Sequence, residues 1–189
     1  MIDFTLPAAV YENVKFALQH GMRPIVGATG LTEEQEAKLV QLSQQEQLGG
    51  LIAKLWNVGG SLNEVCQGGS GLPRTGDVEM HHADKRDAPS GTALSTAKLI
   101  NQVRDPHETN PTEQESLSGV RGGVIGIKIH SVRLPGYIAH EQVLFGGDGE
   151  ALTIRQDSFD RQSFMSGVRV ALEKIDQLDH LVIGLENIL

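Results

Sequence analysis

The sequence predicts an α/β fold, a short parallel sheet followed by an α+β region built on a mixed or antiparallel sheet. Three observations carry this. Residues 1–53 alternate short apolar runs with stretches of helical period, strand, helix, strand, helix, an order that implies parallel strands. From Val124 to Gln156 the apolar spacing changes to a period of two, punctuated by Leu134-Pro135-Gly136 and Gly146-Gly147-Asp148-Gly149. Between them, Ser90-Gly91-Thr92 opens a helix directly behind a loop crowded with charged side chains and histidines.

Taken in order, Met1–Thr5 reads as a strand that turns at Leu6-Pro7. The next helix places Val10, Val14, Ala17 and Leu18 on one face and stops at Gly21. Arg23–Gly27 is a second buried strand and Ala28-Thr29-Gly30 its loop. Leu31–Gln47 is a second helix with Glu33, Glu34 and Glu36 near its start, where carboxylates complement the helix dipole. In open α/β sheets ligands sit beyond the carboxyl ends of the strands, where Thr5 and Gly27–Gly30 fall. Residues 54–76 break the pattern with a glycine-rich run of no period, and Asp77-Val78-Glu79-Met80 resumes a strand. The helix from Ser90 through Ile100 ends near Val103–Pro106, and Pro106–Glu115 is a polar loop. Val124–Arg133 reads as one strand with Ile125, Ile127 and Ile129 on one face. Tyr137–Phe145 and Ala151–Gln156 complete an antiparallel meander with it. Ser158 or Asp160 can cap a last helix that buries Phe164, Val168, Ala171, Leu172 and Ile175, and Leu181–Leu185 closes the chain.

With 39% hydrophobic and 21% charged residues the chain is globular, and 189 residues hold one ordinary domain or two small ones. A net charge of -8 argues against general binding to nucleic acid or a membrane surface, so an anionic ligand needs locally placed cations and backbone dipoles. Lys85 and Arg86 supply them. The lone Cys66 excludes an internal disulfide, and without a long apolar run or a leader pattern the expected compartment is the cytoplasm.

Chemistry concentrates in His81-His82-Ala83-Asp84-Lys85-Arg86-Asp87-Ala88-Pro89-Ser90-Gly91-Thr92. Two imidazoles and an ammonium in one proline-ended loop suit an acidic substrate that must receive a proton. The helix opened by Ser90 offers outward-pointing amides to a carboxylate. His130 and His140 show no metal-ligand spacing with these histidines and read as structural, so no metal is expected.

The run His-His-x-x-Lys-x-Asp-Ala-Pro-Ser-Gly-Thr-Ala resembles the signature of the dihydrodipicolinate reductase family. The resemblance extends through Ile2–Pro7, Gly27–Gly30, His130–Arg133 and Asp160–Phe164. It implies a partial Rossmann-like domain and the reduction, by NADH or NADPH, of a cyclic unsaturated dicarboxylate with loss of water on the diaminopimelate route to lysine. On this resemblance His81 is the general acid–base group, Lys85 a second proton donor, His82 a carboxylate contact, and Gly91 and Thr92 hold the other carboxylate. Gly27, Ala28, Thr29, Thr5, Arg161 and Phe164 are assigned to the cofactor, and the family's assembly is a homotetramer.

The domains expected are a partial dinucleotide-binding domain at 1–53, the anomalous segment at 54–76, a substrate-binding and oligomerisation domain at 77–160, and a helix and tail at 161–189 returning to the nucleotide domain. Two departures from the family stand out. No glycine-rich G-x-G-x-x-G turn precedes the Asp-Phe-Thr strand, so weak nucleotide affinity is expected. Ala53-Lys54-Leu55-Trp56 replaces the family's Ala-Pro-Asn-Phe, and a displaced reading frame can convert one to the other, which would leave Trp56 and Cys66 without a selected role. The alternative reading is a non-catalytic remnant that keeps only the family's assembly surface. A further one is a nicotinamide-dependent oxidoreductase acting on another carbonyl or imine.

Overall fold

A computed structural model describes residues 1–53, 72, 74–103 and 114–189, with Val124 and Ile125 described by their backbone alone. Trp56, Cys66, most of the anomalous segment and the polar loop up to residue 113 lie outside the described residues. In chain order the elements are β1 (Ile2–Asp3), α1 (Pro7–Gln19), β2 (Ile25–Val26), α2 (Glu33–Gln45), β3 (Gly50–Ile52), β4 (Arg74–His81), α3 (Gly91–Gln102), β5 (Gly123–Ile125), β6 (Ile127–Arg133), β7 (Ala139–Gly147), β8 (Glu150–Ser158), α4 (Met165–Lys174) and β9 (Leu181–Ile183). They form two compact units, one of Met1–Gly59 with Gln162–Leu189, the other of Gly60–Arg161.

The first unit is a four-stranded sheet in the order β1-β2-β3-β9, parallel throughout. Its strands are apolar on both faces because helices cover both, as parallel sheets require. Ile25 and Leu51 face Val168, Ala171 and Ile175 of α4, with Phe164 packed against that cluster. Val26 and Ile52 face Val10, Val14 and Leu18 of α1 and Leu39 of α2. α2 starts two residues later than its sequence suggests, because Thr32 and Gln35 form a capping box. In it Thr32 Oγ1 accepts from Gln35 N at 3.2 Å, and Thr32 N donates to Gln35 Oε1 at 2.9 Å. The buried Ser43 hydroxyl accepts from Leu181 N at 2.8 Å and so ties α2 to β9.

Strand β3 was not expected, since three residues are too short to show a period. Its Gly50 is demanded by packing: a Cβ there would stand 2.7 Å from Leu181 Cδ1 and 2.8 Å from the Pro24 ring. The last helix also differs from expectation. α4 starts at Met165 after a 3-10 turn at Arg161–Phe164, and Phe164 at its N-cap position makes no side-chain cap hydrogen bond. Leu172 is 50% exposed, because it lies about 100° past Ala171 and off the buried stripe.

The second unit is a mixed five-stranded sheet in the order β5-β6-β4-β7-β8. The expected meander is corrected here, because β4 lies between β6 and β7, parallel to the first and antiparallel to the second. Residues Leu134–Ile138 step across the end of β4, where Leu134 N donates to His81 O at 3.1 Å. The single strand expected over Val124–Arg133 is likewise two strands. The chain reverses at Gly126, whose φ of 72° is open to glycine, and Ile125 pairs with Ile127. Asp148 and Gly149 alone make the β7–β8 turn, while Gly146 and Gly147 are paired in β7. Helix α3 lays Ala93, Thr96, Ala97 and Ile100 in the interior, as its spacing predicts.

Candidate active site

One edge of the mixed sheet collects the reactive side chains. His81 ends β4 and pairs in register with Arg133, the end of β6, and with Ala139, the start of β7. The loop that follows carries His82 and Lys85, passes through a cis Ala88-Pro89 peptide, and enters α3 at Ser90. Ser90 is buried and its hydroxyl accepts from Ala93 N at 3.2 Å, so the mouth of α3 is formed by Gly91 and Thr92.

His81 is held on both sides of its ring. Nε2 lies 3.0 Å from Glu79 Oε2, and Nδ1 is 3.2 Å from the carbonyl of Ile138. The Nδ1 contact is a hydrogen bond, whereas the Nε2 contact is an ion-pair distance to an oxygen that accepts no hydrogen bond among the described residues. Glu79 is fully buried two residues earlier on the same strand face. Burial pushes its carboxyl up, but the neighbouring His81, Arg133 and Ser131 outweigh this and hold it down at about 2. Its other oxygen, Oε1, accepts from Arg133 Nη2 at 2.8 Å, and the same nitrogen donates to Asp87 O at 2.7 Å. Asp87 in turn receives Lys85 Nζ on both carboxylate oxygens, at 2.7 and 2.8 Å. Burial raises the Asp87 carboxyl and the Lys85 ammonium lowers it by more, leaving it below the usual carboxylate range.

Beneath α3 lie further buried acids. Glu141 is paired in register with Glu79, and Asp77 stands one strand-face step behind. Burial and the neighbouring Glu141 and Glu79 push the Asp77 carboxyl up to about 9, so it is neutral at pH 7. Burial also raises the Glu141 carboxyl. On the outer side, His140 is buried with Nδ1 2.6 Å from Asp157 Oδ1, and its ring meets Tyr137 and Phe159 edge-on. These contacts tie the ring to β8 and to its aromatic neighbours. Among the described residues no group of three or more His, Cys, Asp or Glu side chains could hold a metal ion.

The structure therefore connects His81 and Lys85 through one network of ion pairs and hydrogen bonds and sets Gly91 and Thr92 at the end of the same loop. His82 O accepts from Lys85 N at 3.2 Å within that loop, and the His82 side chain is half-buried. In the other unit, Thr5, Gly27, Ala28 and Thr29 lie at the carboxyl edge of the parallel sheet. The Thr5 hydroxyl and amide both donate to Asp3 Oδ1, at 2.6 and 2.7 Å. Gly27 is pressed by the Phe4 ring, 2.1 Å from where a Cβ would stand. Ala28 is buried and Thr29 half-buried. Arg161 is exposed at the start of the 3-10 turn, and Phe164 packs on its unit's core at the end of it. Sequence reasoning missed Glu79, Asp87 and Arg133. The alternation Glu79–His81 was a signal for the first, whereas the partnership with Arg133 spans 54 positions and had none.

Comparison with known proteins agrees with this layout. Residues 1–54 match the family model for the dihydrodipicolinate reductase N-terminus, and residues 75–189 match that for its C-terminus. The 4-hydroxy-tetrahydrodipicolinate reductase of Lactobacillus helveticus is 65% identical over 191 aligned positions, covering all of this chain and 73% of the relative. That of Streptococcus gordonii is 47% identical, with 75% of its length covered. A solved dihydrodipicolinate reductase from Paenisporosarcina sp. TG-14, with dipicolinate bound, superposes with a TM-score of 0.78 at 44% identity, over all of this chain and 72% of that one. The two models span residues 1–54 and 75–189, the relatives align along the whole chain, and the chain belongs to the dihydrodipicolinate reductase family.

Proposed function

We propose that this chain reduces 4-hydroxy-tetrahydrodipicolinate to tetrahydrodipicolinate, using NADH or NADPH and releasing water, in the diaminopimelate route to lysine. The observation that carries the reading is the single sheet edge on which His81 and Lys85 share a network beside the α3 mouth. The dipicolinate bound by the solved relative, a small cyclic dicarboxylate, supports the substrate class.

Bound nicotinamide nucleotide supplies the hydride. The first unit offers it the carboxyl edge of its sheet, where the exposed Phe4 ring lies on the Gly27 backbone with Ala28 and Thr29 beside it and Phe164 is a further contact; Arg161, the last residue of the second unit, is the remaining contact the resemblance implies. In the second unit, Gly91 and Thr92 bind one substrate carboxylate at the helix mouth and His82 contacts the other. Lys85 exchanges Asp87 for the substrate, neutralises developing negative charge and serves as the second proton donor. His81 is the general acid. Its Nε2 lies 3.0 Å from the buried Glu79 carboxylate and its Nδ1 is hydrogen-bonded at the Ile138 carbonyl, 3.2 Å away, so the ring is oriented before it passes a proton to the substrate. The chain works in the cytoplasm as a homotetramer; no described helix is long and apolar enough to cross a membrane.

The test is turnover against binding. His81→Ala and Lys85→Met each lower kcat by roughly 100-fold or more, the span of general acid–base catalysis, while calorimetric nucleotide affinity stays within about two-fold, the expected size for a group that touches only substrate. Equal losses in both would refute these roles. Dipicolinate binding with no turnover in the unaltered chain would favour the remnant reading.

A further inference from the structure

We propose that Arg133 is a positioning residue for this reaction, one guanidinium nitrogen setting the His81 ring and the Lys85 loop relative to each other. The inference rests on the reading above. Two arms leave Arg133 Nη2. One runs through Glu79 Oε1 at 2.8 Å and across that carboxylate to His81 Nε2, 3.0 Å from Oε2. The other runs to Asp87 O at 2.7 Å, and the Asp87 side chain grips Lys85 Nζ at 2.7 and 2.8 Å. The two proton-bearing groups thus hang from one atom. Nη2 carries two N–H bonds, one for each arm, and Nη1 donates to Val132 O at 2.7 Å, which fixes the plane of the fork. The hub is sheltered, with the Arg133 side chain 17% exposed and that of Glu79 fully buried.

A rigid fork aimed at two acceptors cannot be replaced by a point charge on a flexible stem. Arg133→Lys keeps the charge and one arm at a time, and Arg133→Met keeps neither. Glu79→Gln is the selective cut. It retains an oxygen for Arg133 but can turn an N–H toward His81, so it disturbs the ring and leaves the Asp87 arm in place.

The experiment reads the 15N resonances of the His81 ring and hydrogen exchange across residues 82–90, alongside kcat and KM. In Arg133→Met the His81 resonances move, the loop loses protection, and kcat falls roughly 100-fold, the cost of a misplacement of about 1 Å, with nucleotide KM unchanged. Arg133→Lys recovers part of each. Glu79→Gln moves the His81 resonances and spares the loop, so it carries the test even where Arg133→Met does not fold. Unchanged His81 resonances and loop exchange in Arg133→Lys and Glu79→Gln overturn the proposal whatever turnover does. Moved resonances in a chain whose unaltered form neither binds dipicolinate nor turns over would instead keep the positioning role and sink the assigned reaction.

Discussion

The two units differ in what they bury. Around the parallel sheet the interior is aliphatic, Val10, Val14, Leu18, Ile25, Leu51 and Ile52 among others, with Asp3 and Ser43 the buried polar side chains described there. Under α3 in the mixed sheet, Thr75, Asp77, Glu79, Thr96 and Glu141 share the interior with Ile127, Ile129, Val143 and Phe145. The first interior gains from removing apolar surface from water. The second gives up part of that gain by desolvating carboxylates, which are tolerated only when paired, hydrogen-bonded or neutralised. The comparison teaches that one unit is built for stability and the other holds charge where a charged diacid has to be met.

This contrast can be broken first at Glu79. Glu79→Ala leaves Arg133 and His81 facing a void, and about 3–5 kcal/mol of stability is expected to go, the cost of breaking a buried pair. Chemical denaturation followed by far-ultraviolet dichroism measures it, and hydrogen exchange places the loss in the second unit. In the first unit Leu51→Ala is the counterpart. A buried leucine between two helical layers costs about 2–5 kcal/mol, with exchange rising in β2, β3 and α4 instead.

The pH dependence sharpens the comparison further. Glu79 is held down to about 2 from its ordinary 4.5, so its contribution is present above 4.5 and is lost as pH falls through about 2. Asp77 is raised to about 9 from 3.8, so its contribution is full below 3.8 and disappears as pH rises through about 9. The second unit therefore loosens at both ends of the scale. Asp77→Asn lessens the alkaline loss, since the raised Glu141 keeps a share of it, and leaves the acid one in place; a titration of stability in which the alkaline loss is unchanged would contradict this account. Smaller again is Ser90→Ala, expected to cost about 1 kcal/mol through loss of the α3 cap, measured as a shift in the denaturation midpoint. Lys38→Ala, which breaks a pair between exposed side chains of α2, leaves the midpoint where it was, since such pairs contribute little.

How much of this was legible in the sequence follows the range of each interaction. α1 and α3 read correctly because an apolar stripe and a serine cap are local, Ser90 announcing the start of α3, whereas the Thr32–Gln35 capping box that starts α2 was passed over in favour of Leu31. The turn at Gly126 was missed, because the alternation of apolar residues continues through a reversal one residue long. The place of β4 between β6 and β7 was hidden too, since hydrogen-bond pairing between strands carries no mark in either strand alone. Leu172 was misplaced by reading helical spacing without knowing where the buried stripe is centred. At the site, His81, Lys85, Gly91 and Thr92 were visible as a contiguous run, but the residues that connect them were not.

The amino-acid order alone determined the family, most of the helices and the run of residues proposed for the substrate, because each is written in neighbouring positions and in local backbone preference. Tertiary structure alone decided that Glu79 and Arg133 close around that run. A guanidinium fork selects its acceptors by distance and direction in space, and residues far apart in the chain acquire both only when β4 and β6 lie side by side.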